Sequence, residues 1–330
     1  MSSLVARAFG LAVAGFLSIG SAAAQDRPKQ EVLKVAIGQR GAWENSSAEL
    51  GQNQGIFKKH GLTLEILYTQ GSGETMQAVI SGSVDIGVGI GTHGALGAFA
   101  KGAPMRVIGG TFTGVDDLYY YVRTDSPLKS MKEADGSTIA ISSTGSAGHI
   151  IALALGKHFG VKLTPQVAGS YATILTQVLT KQLDIGFATS PFGLEAVDQG
   201  KARILTPANV VPSLRNQTVR SLIANLAVIE RRPEVLRRYI AATRETLDWM
   251  YSGDPRVMKA YAALLGMPEE TAAKALGNYH PRASVEPTRV DGLDAIQADA
   301  IQFKYIPAPL TAAQMADFLR LPALDKGQQK

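Results

Sequence analysis

The chain contains no cysteine. Disulfides, thiolate nucleophiles, thiolate-held zinc and iron–sulfur clusters are therefore excluded, and so is a lipid anchor carried on an N-terminal cysteine. Charge is also sparse. Only 18% of the 330 residues are charged, and the net value is +5. Lys and Arg are scattered, apart from Arg231-Arg232 and Arg237-Arg238, which read as a solvated helix face rather than a nucleic-acid surface. The five histidines (His60, His93, His149, His158, His280) include no His-x-x-x-His pair. No nucleophile elbow, phosphate loop or dinucleotide fingerprint stands in its proper context. Catalytic residues, a metal site and a cofactor are therefore not expected.

Long apolar runs are missing too. The apolar stretch Ala8 to Ile19 is too short to span a bilayer comfortably, and nothing later approaches about 18 uninterrupted apolar residues. That stretch follows Arg7 and precedes Ser21-Ala22-Ala23-Ala24, the pattern of a secretory signal peptide over residues 1–24, cleaved after Ala24. The expected mature chain is soluble, periplasmic and monomeric.

What the chain does have is 45% apolar residues and 34 glycines, enough for ordinary cores and many tight turns. Short strands alternate with helices. Leu33 to Gly38 is a strand, Leu50 to Lys59 a helix closed by His60-Gly61, and Leu62 to Tyr68 a strand. Gly71-Ser72-Gly73 opens a helix, and Val84 to Val88 is a strand. This is an α/β pattern with a mainly parallel sheet. The order then recurs from Ser137 to Phe187. Gly71-Ser72 followed by Val84-Asp85-Ile86-Gly87 is echoed by Gly169-Ser170 followed by Leu183-Asp184-Ile185-Gly186. Such a repeat predicts two similar lobes, residues 31–119 with 226–330 and residues 120–225. The β-prone Leu118 to Arg123 is expected to carry the chain across and Ser221 to Ile229 to bring it back. Tyr119–Arg123 and Ser221–Ile229 would then form a two-segment hinge. Helices are expected from Pro233 onward.

In open α/β sheets, ligands sit beyond the carboxyl ends of the strands. That rule selects Arg40 and Trp43, Gly71-Ser72-Gly73, Thr92-His93 and Thr113 in one lobe. In the other it selects Thr144-Gly145-Ser146, Tyr171, Ser190 and Phe192. Gly with Ser or Thr at a helix start offers free N–H groups and the positive dipole end, which suits an anion; plain N-capping explains the same residues. Arg40 is either an anion partner or a surface arginine. Trp43 either stacks on a ligand or packs beside the first helix. His93 either donates to the ligand or caps locally, and His149 reads as structural.

The ordered motifs Lys34-Val35-Ala36-Ile37-Gly38, Gly55-Ile56-Phe57-Lys58-Lys59-His60-Gly61-Leu62, Gly71-Ser72-Gly73 and Gly82-Ser83-Val84-Asp85-Ile86-Gly87 resemble the nitrate/sulfonate/taurine type of ABC-importer substrate-binding protein. Arg123 to Ser130, Thr144 to His149 and Ala188 to Phe192 agree, so the resemblance runs from about residue 33 to residue 240. It implies a type II periplasmic binding fold, an inter-lobe ligand of sulfonate or carboxylate type, and a membrane permease as partner. Two positions depart from the pattern. Gly91-Thr92-His93 lacks the aspartate that many members carry there, and Ser190-Pro191-Phe192 stands where relatives often have Asp-Pro-Tyr. Two other uses of such a clamp are a sensor that presents its ligand to a receptor kinase and a thiamine-pyrimidine synthase of the same fold. The resemblance gives the latter a cysteine-rich iron motif, which this chain cannot supply.

Overall fold

The computed structural model describes residues 30–276 and 279–324. The expected signal peptide lies outside them. In chain order the strands are β1 (Glu31–Gly38), β2 (Leu62–Thr69), β3 (Ile86–Gly91), β4 (Met105–Thr113), β5 (Leu118–Arg123), β6 (Thr138–Ile141), β7 (Thr164–Val167), β8 (Gly186–Thr189), β9 (Ala202–Pro207) and β10 (Thr218–Asn225). The helices are α1 (Ser47–Asn53), α2 (Ile56–Lys59), α3 (Ser72–Ile80), α4 (Thr92–Ala100), α5 (Ala147–Phe159), α6 (Tyr171–Leu179), α7 (Leu194–Asp198), α8 (Leu226–Arg231), α9 (Pro233–Met250), α10 (Pro255–Leu265), α11 (Glu269–Leu276), α12 (Leu293–Gln302) and α13 (Ala312–Phe318). Among the described residues no helix is long and apolar enough to cross a membrane.

The first sheet has the order β2-β1-β3-β10-β4, with β1 parallel to β2 and β3 and with β10 antiparallel to β3 and β4. In the second lobe β6 and β7 pair in parallel, and the bridge Ile139–Ile185 joins them to the set β8-β5-β9. The second order therefore reads β7-β6-β8-β5-β9, with β5 antiparallel to both neighbours. The two lobes match strand for strand. Asp85 Oδ2 accepts from the Lys34 N–H of β1 (2.9 Å), and Asp184 Oδ2 accepts from the Thr138 N–H of β6 (2.8 Å). The repeated aspartate thus ties the same two strands in each lobe.

This topology moves the expected hinge. The aromatic run Tyr119-Tyr120-Tyr121 is fully buried in β5, between β8 and β9 of the second sheet, a place that suits bulky β-formers. β10 belongs to the first sheet, and Asn225 caps α8 through its side chain, so Leu226 to Ile229 is helical. The chain crosses instead at residues 114–117 and 208–217. β5 accordingly falls in the second lobe and β10 in the first, which shifts both expected domain boundaries.

Apolar clusters cover both faces of the first sheet, one built on Leu33, Val35 and Phe57, the other on Val79, Leu96 and Val107. A separate core fills the second lobe around Tyr120, Ile150 and Phe187. The C-terminal helices, expected from Pro233 onward, form around α9, which starts at Pro233 and packs on α1 and α2. α10 and α11 enclose Trp43, Phe112 and Tyr261.

Candidate functional site

Beyond β1 the chain turns sharply. Gln39 and Gly41 adopt positive φ (60° and 87°), and the 3-10 turn Trp43–Asn45 follows. Asn45 fixes this turn by donating from Nδ2 to the Gly38 carbonyl at 3.0 Å. Glu44 is thereby driven inward and is only 2% exposed. Opposite it stands Arg220 of β10, 5% exposed, at a point where the register with β4 shifts on both sides of the residue. Such irregularities re-aim a side chain out of the regular ladder. Asp117, fully buried, comes from the first crossing segment, and its carbonyl accepts from the Ser190 N–H at the end of β8. His280 reaches in from the segment after α11, with Nε2 3.1 Å from the Ser190 carbonyl.

These groups form one buried charged cluster between the sheets. Arg220 Nη2 donates to both Asp117 carboxylate oxygens at 2.6 Å, and Nη1 lies 3.1 Å from Glu44 Oε1. The Arg220 guanidinium also stacks over Phe112, 4.5 Å from the ring centre. Ligand atoms of Glu44, Asp117 and His280 all lie within 4.8 Å of one another. Burial works against charge on Arg220, but Asp117 and Glu44 outweigh it and hold the guanidinium protonated. Burial raises the Glu44 carboxyl above its ordinary range; Arg220 opposes this and Asp117 adds to it. Neither Glu44 oxygen has an aligned hydrogen bond: the Arg220 contact is close enough for an ion pair but poorly directed. His280 Nδ1 and Arg220 Nε are likewise without partners. Because the Ser190 carbonyl can only accept, His280 Nε2 carries a proton and donates to it.

Aromatic groups wall the cluster. The Tyr251 hydroxyl donates to the His280 carbonyl (3.0 Å) and accepts from Trp43 Nε1 (2.8 Å). Tyr171 lies beside Thr189 and close enough to feel the charges of Arg220, Glu44 and Asp117. Its ring packs on Phe192 with centres 5.2 Å apart. A cavity of about 670 Å³ is lined by Pro191 and Tyr279, the chain neighbours of Ser190 and His280, and by none of the cluster's own side chains.

Of the residues expected at the site, Tyr171 and the Ser190 carbonyl belong to this cluster, and Phe192 stands next to it. Trp43 packs edge-on against Tyr261 and Tyr251 within the core, so it is not a stacking platform. Arg40 points to solvent, pairing with Glu49 at 3.0 Å and lying over Tyr68. Thr113 bonds the Thr218 hydroxyl at 2.7 Å, and Thr144 is exposed. Thr92 and His93 are fully buried without aligned side-chain hydrogen bonds; His93 faces Gln217 and Tyr305.

The expected anion-binding helix starts are engaged by the protein itself. Ser72 Oγ accepts from the Gly91 N–H (3.0 Å), and the Gly73 N–H donates across the lobes to Ser143 Oγ (2.9 Å). Ser146 caps α5 by accepting from the His149 N–H, while the Gly145 N–H donates to His149 Nδ1 at 3.2 Å. The Tyr171 N–H at the start of α6 is taken by Gln39 Oε1 from the other lobe (3.1 Å). A Cβ on Gly94 would meet the Gly145 carbonyl oxygen at 2.2 Å, and one on Gly71 would lie 3.0 Å from Ser142 Cβ. The small residues thus permit backbone contact between the lobes, where a close approach of ligand was expected.

The main members of the cluster, Glu44, Asp117, Arg220 and His280, were not anticipated. One signal was present: Arg220 sits in a strand, Thr-Val-Arg-Ser-Leu-Ile-Ala, that is otherwise uncharged and rich in β-formers. An isolated charge in such a strand has to be paired inside.

Residues 49–256 match the family described as NMT1/THI5 like. The chain is 23% identical over 227 residues to the 4-amino-5-hydroxymethyl-2-methylpyrimidine phosphate synthase THI5 of Saccharomyces cerevisiae, an alignment of 64% of this chain and 65% of that protein. The chain thus spans slightly under two thirds of the yeast relatives it matches. It is 26% identical over 240 residues to the putative binding protein BAB2_1146 of Brucella abortus, covering 70% of this chain and 72% of that one. Among solved structures, the alkanesulfonate-binding protein SsuA from Xanthomonas axonopodis pv. citri superposes with a TM-score of 0.73 at 18% identity, over 89% of this chain and 99% of that one. The periplasmic nitrate-binding protein NrtA from Synechocystis superposes with a TM-score of 0.70 at 14% identity, over 89% and 87%. The architecture is that of a periplasmic binding protein.

Proposed function

Because the chain belongs to the NMT1/THI5-like family and has the fold of periplasmic solute-binding proteins, we propose that it captures a small solute between its lobes and delivers it to an ABC-importer permease. In this reading it acts as a soluble periplasmic monomer and catalyses nothing. The observation that carries the proposal is the inter-lobe cluster of Glu44, Asp117, Arg220 and His280. Buried polar atoms are paired in nearly all folded proteins, and those left over mark where a ligand completes the set. Their position beyond β1 and β8 is also where open α/β sheets place ligands.

The yeast relatives carry the name of a synthase. The cysteine-rich iron motif that goes with such enzymes has no counterpart here, since the chain lacks cysteine. The sulfonate-like anion expected from the loops has lost its support at the helix starts, which the protein's own contacts occupy. The test is a thermal-shift screen of small solutes on the dialysed mature protein, followed by uptake measurements in cells lacking the gene. A solute at about 100 times its Kd should stabilise by about 2.7 kcal/mol. Uptake of the same solute should fall in the deletion strain. A screen without shifts would overturn solute capture. Binding with unchanged uptake would overturn delivery and favour a sensing role.

A further inference from the structure

Resting on the solute-binding reading, we propose that the ligand is a small organic cation, an ammonium or amidinium, whose N–H groups are received by the Glu44 carboxylate and His280 Nδ1. The argument is one of charge and hydrogen-bond count at a single buried place. Two carboxylates face one guanidinium, and His280 Nδ1 beside them has no partner. Arg220 spends Nη2 on Asp117, with two contacts of 2.6 Å. That leaves Glu44 with a Coulombic contact and no directed bond. Burial raises the Glu44 carboxyl, so an ionised Glu44 left without a directed bond is costly at this place. A ligand cation removes that cost and satisfies the open acceptors. An anion would meet two carboxylates, with Arg220 Nε as the cluster's unpartnered cationic donor.

A metal ion fits less well, although Glu44, Asp117 and His280 are close enough to share one. The Arg220 guanidinium already takes the cation's place at Asp117 and would stand in like-charge contact with the metal. An organic cation can lie on the Glu44 side and direct its charge away from Arg220. A cavity of about 670 Å³ lined by Pro191 and Tyr279, the chain neighbours of Ser190 and His280, carries Glu195 and Asp198 against Lys274, an acidic balance that matches.

The experiment uses the mature chain with two matched pairs of probes: benzamidine and benzylamine as cations, benzenesulfonate and benzoate as anions. Thermal shift and calorimetry should show that a cation binds and the anions do not. The isosteric Glu44→Gln removes the charge while keeping the volume, and should weaken the cation by about tenfold or more. Circular dichroism reports whether the variant is folded; if it is not, the cation–anion preference of the wild type decides. Preference for the anions, or unchanged cation binding in folded Glu44→Gln, overturns the inference and leaves solute binding standing. No binding by any probe at millimolar concentration overturns the inference, while solutes found in the wider screen would still support capture.

Discussion

Arg220 is the one side chain that both buried carboxylates lean on. Replacing it by methionine keeps much of the volume but leaves Glu44 and Asp117 facing each other in the interior. Removing one partner of a buried pair costs about 3–5 kcal/mol, because the remaining charge stays desolvated. Arg220→Met should therefore lower stability by that order in urea unfolding, and a loss under about 1 kcal/mol would mean the cluster is wetter than its burial implies. His93 makes a different prediction. Burial pushes its imidazole down to about 4 from an ordinary value of 6.5, with the Gln217 side chain opposing. The unfolded chain therefore takes up the proton first. The stability this gives is fully present above pH 6.5 and is lost as pH falls toward about 4. The shift corresponds to roughly 3 kcal/mol. Melting curves across that window should show a steep acid limb in the wild type and a shallower one in His93→Asn. Equal limbs would show that His93 is not the group that titrates.

Strand and helix existence was largely legible in the sequence, because each lobe repeats the same short elements with the same punctuation. The repeat even had a readable cause: Asp85 and Asp184 bond the same backbone position in equivalent strands. The role of the crossing elements was not legible. Leu118–Arg123 reads as a strand from its β-formers and is one, but composition does not say that β5 is inserted antiparallel between β8 and β9. β10 does the same between β3 and β4 in the other lobe. Each of these two strands enters its lobe straight from a crossing, so the irregular segments before them, not the strands, connect the lobes. The Gly-Ser helix starts stayed ambiguous for a related reason. Glycine permits close approach, and sequence cannot say whether a ligand or the opposite lobe is what approaches. The cluster as a whole was not legible because Glu44, Asp117, Arg220 and His280 come from four distant segments, and only the lone charge of Arg220 in its strand gave a local signal.

At the scale of the whole molecule, a set of direct contacts joins the two lobes. Gln39 bridges to Gly169 and Tyr171 at 3.1 Å, Gly73 reaches Ser143 at 2.9 Å, and the Tyr305 hydroxyl meets His149 Nδ1 at 2.6 Å. The closest approach is backbone on backbone, Gly94 against Gly145. The lobes are connected at residues 114–117 and 208–217, and we propose that they hinge there between an open and a closed form. A ligand that touches both lobes through the cluster then pulls the balance toward closure. Gly94→Val tests this without altering the cluster. Its Cβ would fall 2.2 Å from the Gly145 oxygen, a backbone atom that cannot swing aside, so the closed form must give way. If closure is required for tight binding, apparent affinity drops in proportion to the closed fraction that remains. Small-angle scattering should show the wild type contracting when a saturating solute is added and Gly94→Val staying extended, with its affinity weakened. Circular dichroism and urea unfolding of the variant should remain close to wild type, since the clash is relieved by opening rather than by unfolding. A variant that contracts and binds like the wild type would show that the Gly94–Gly145 contact has no part in closure.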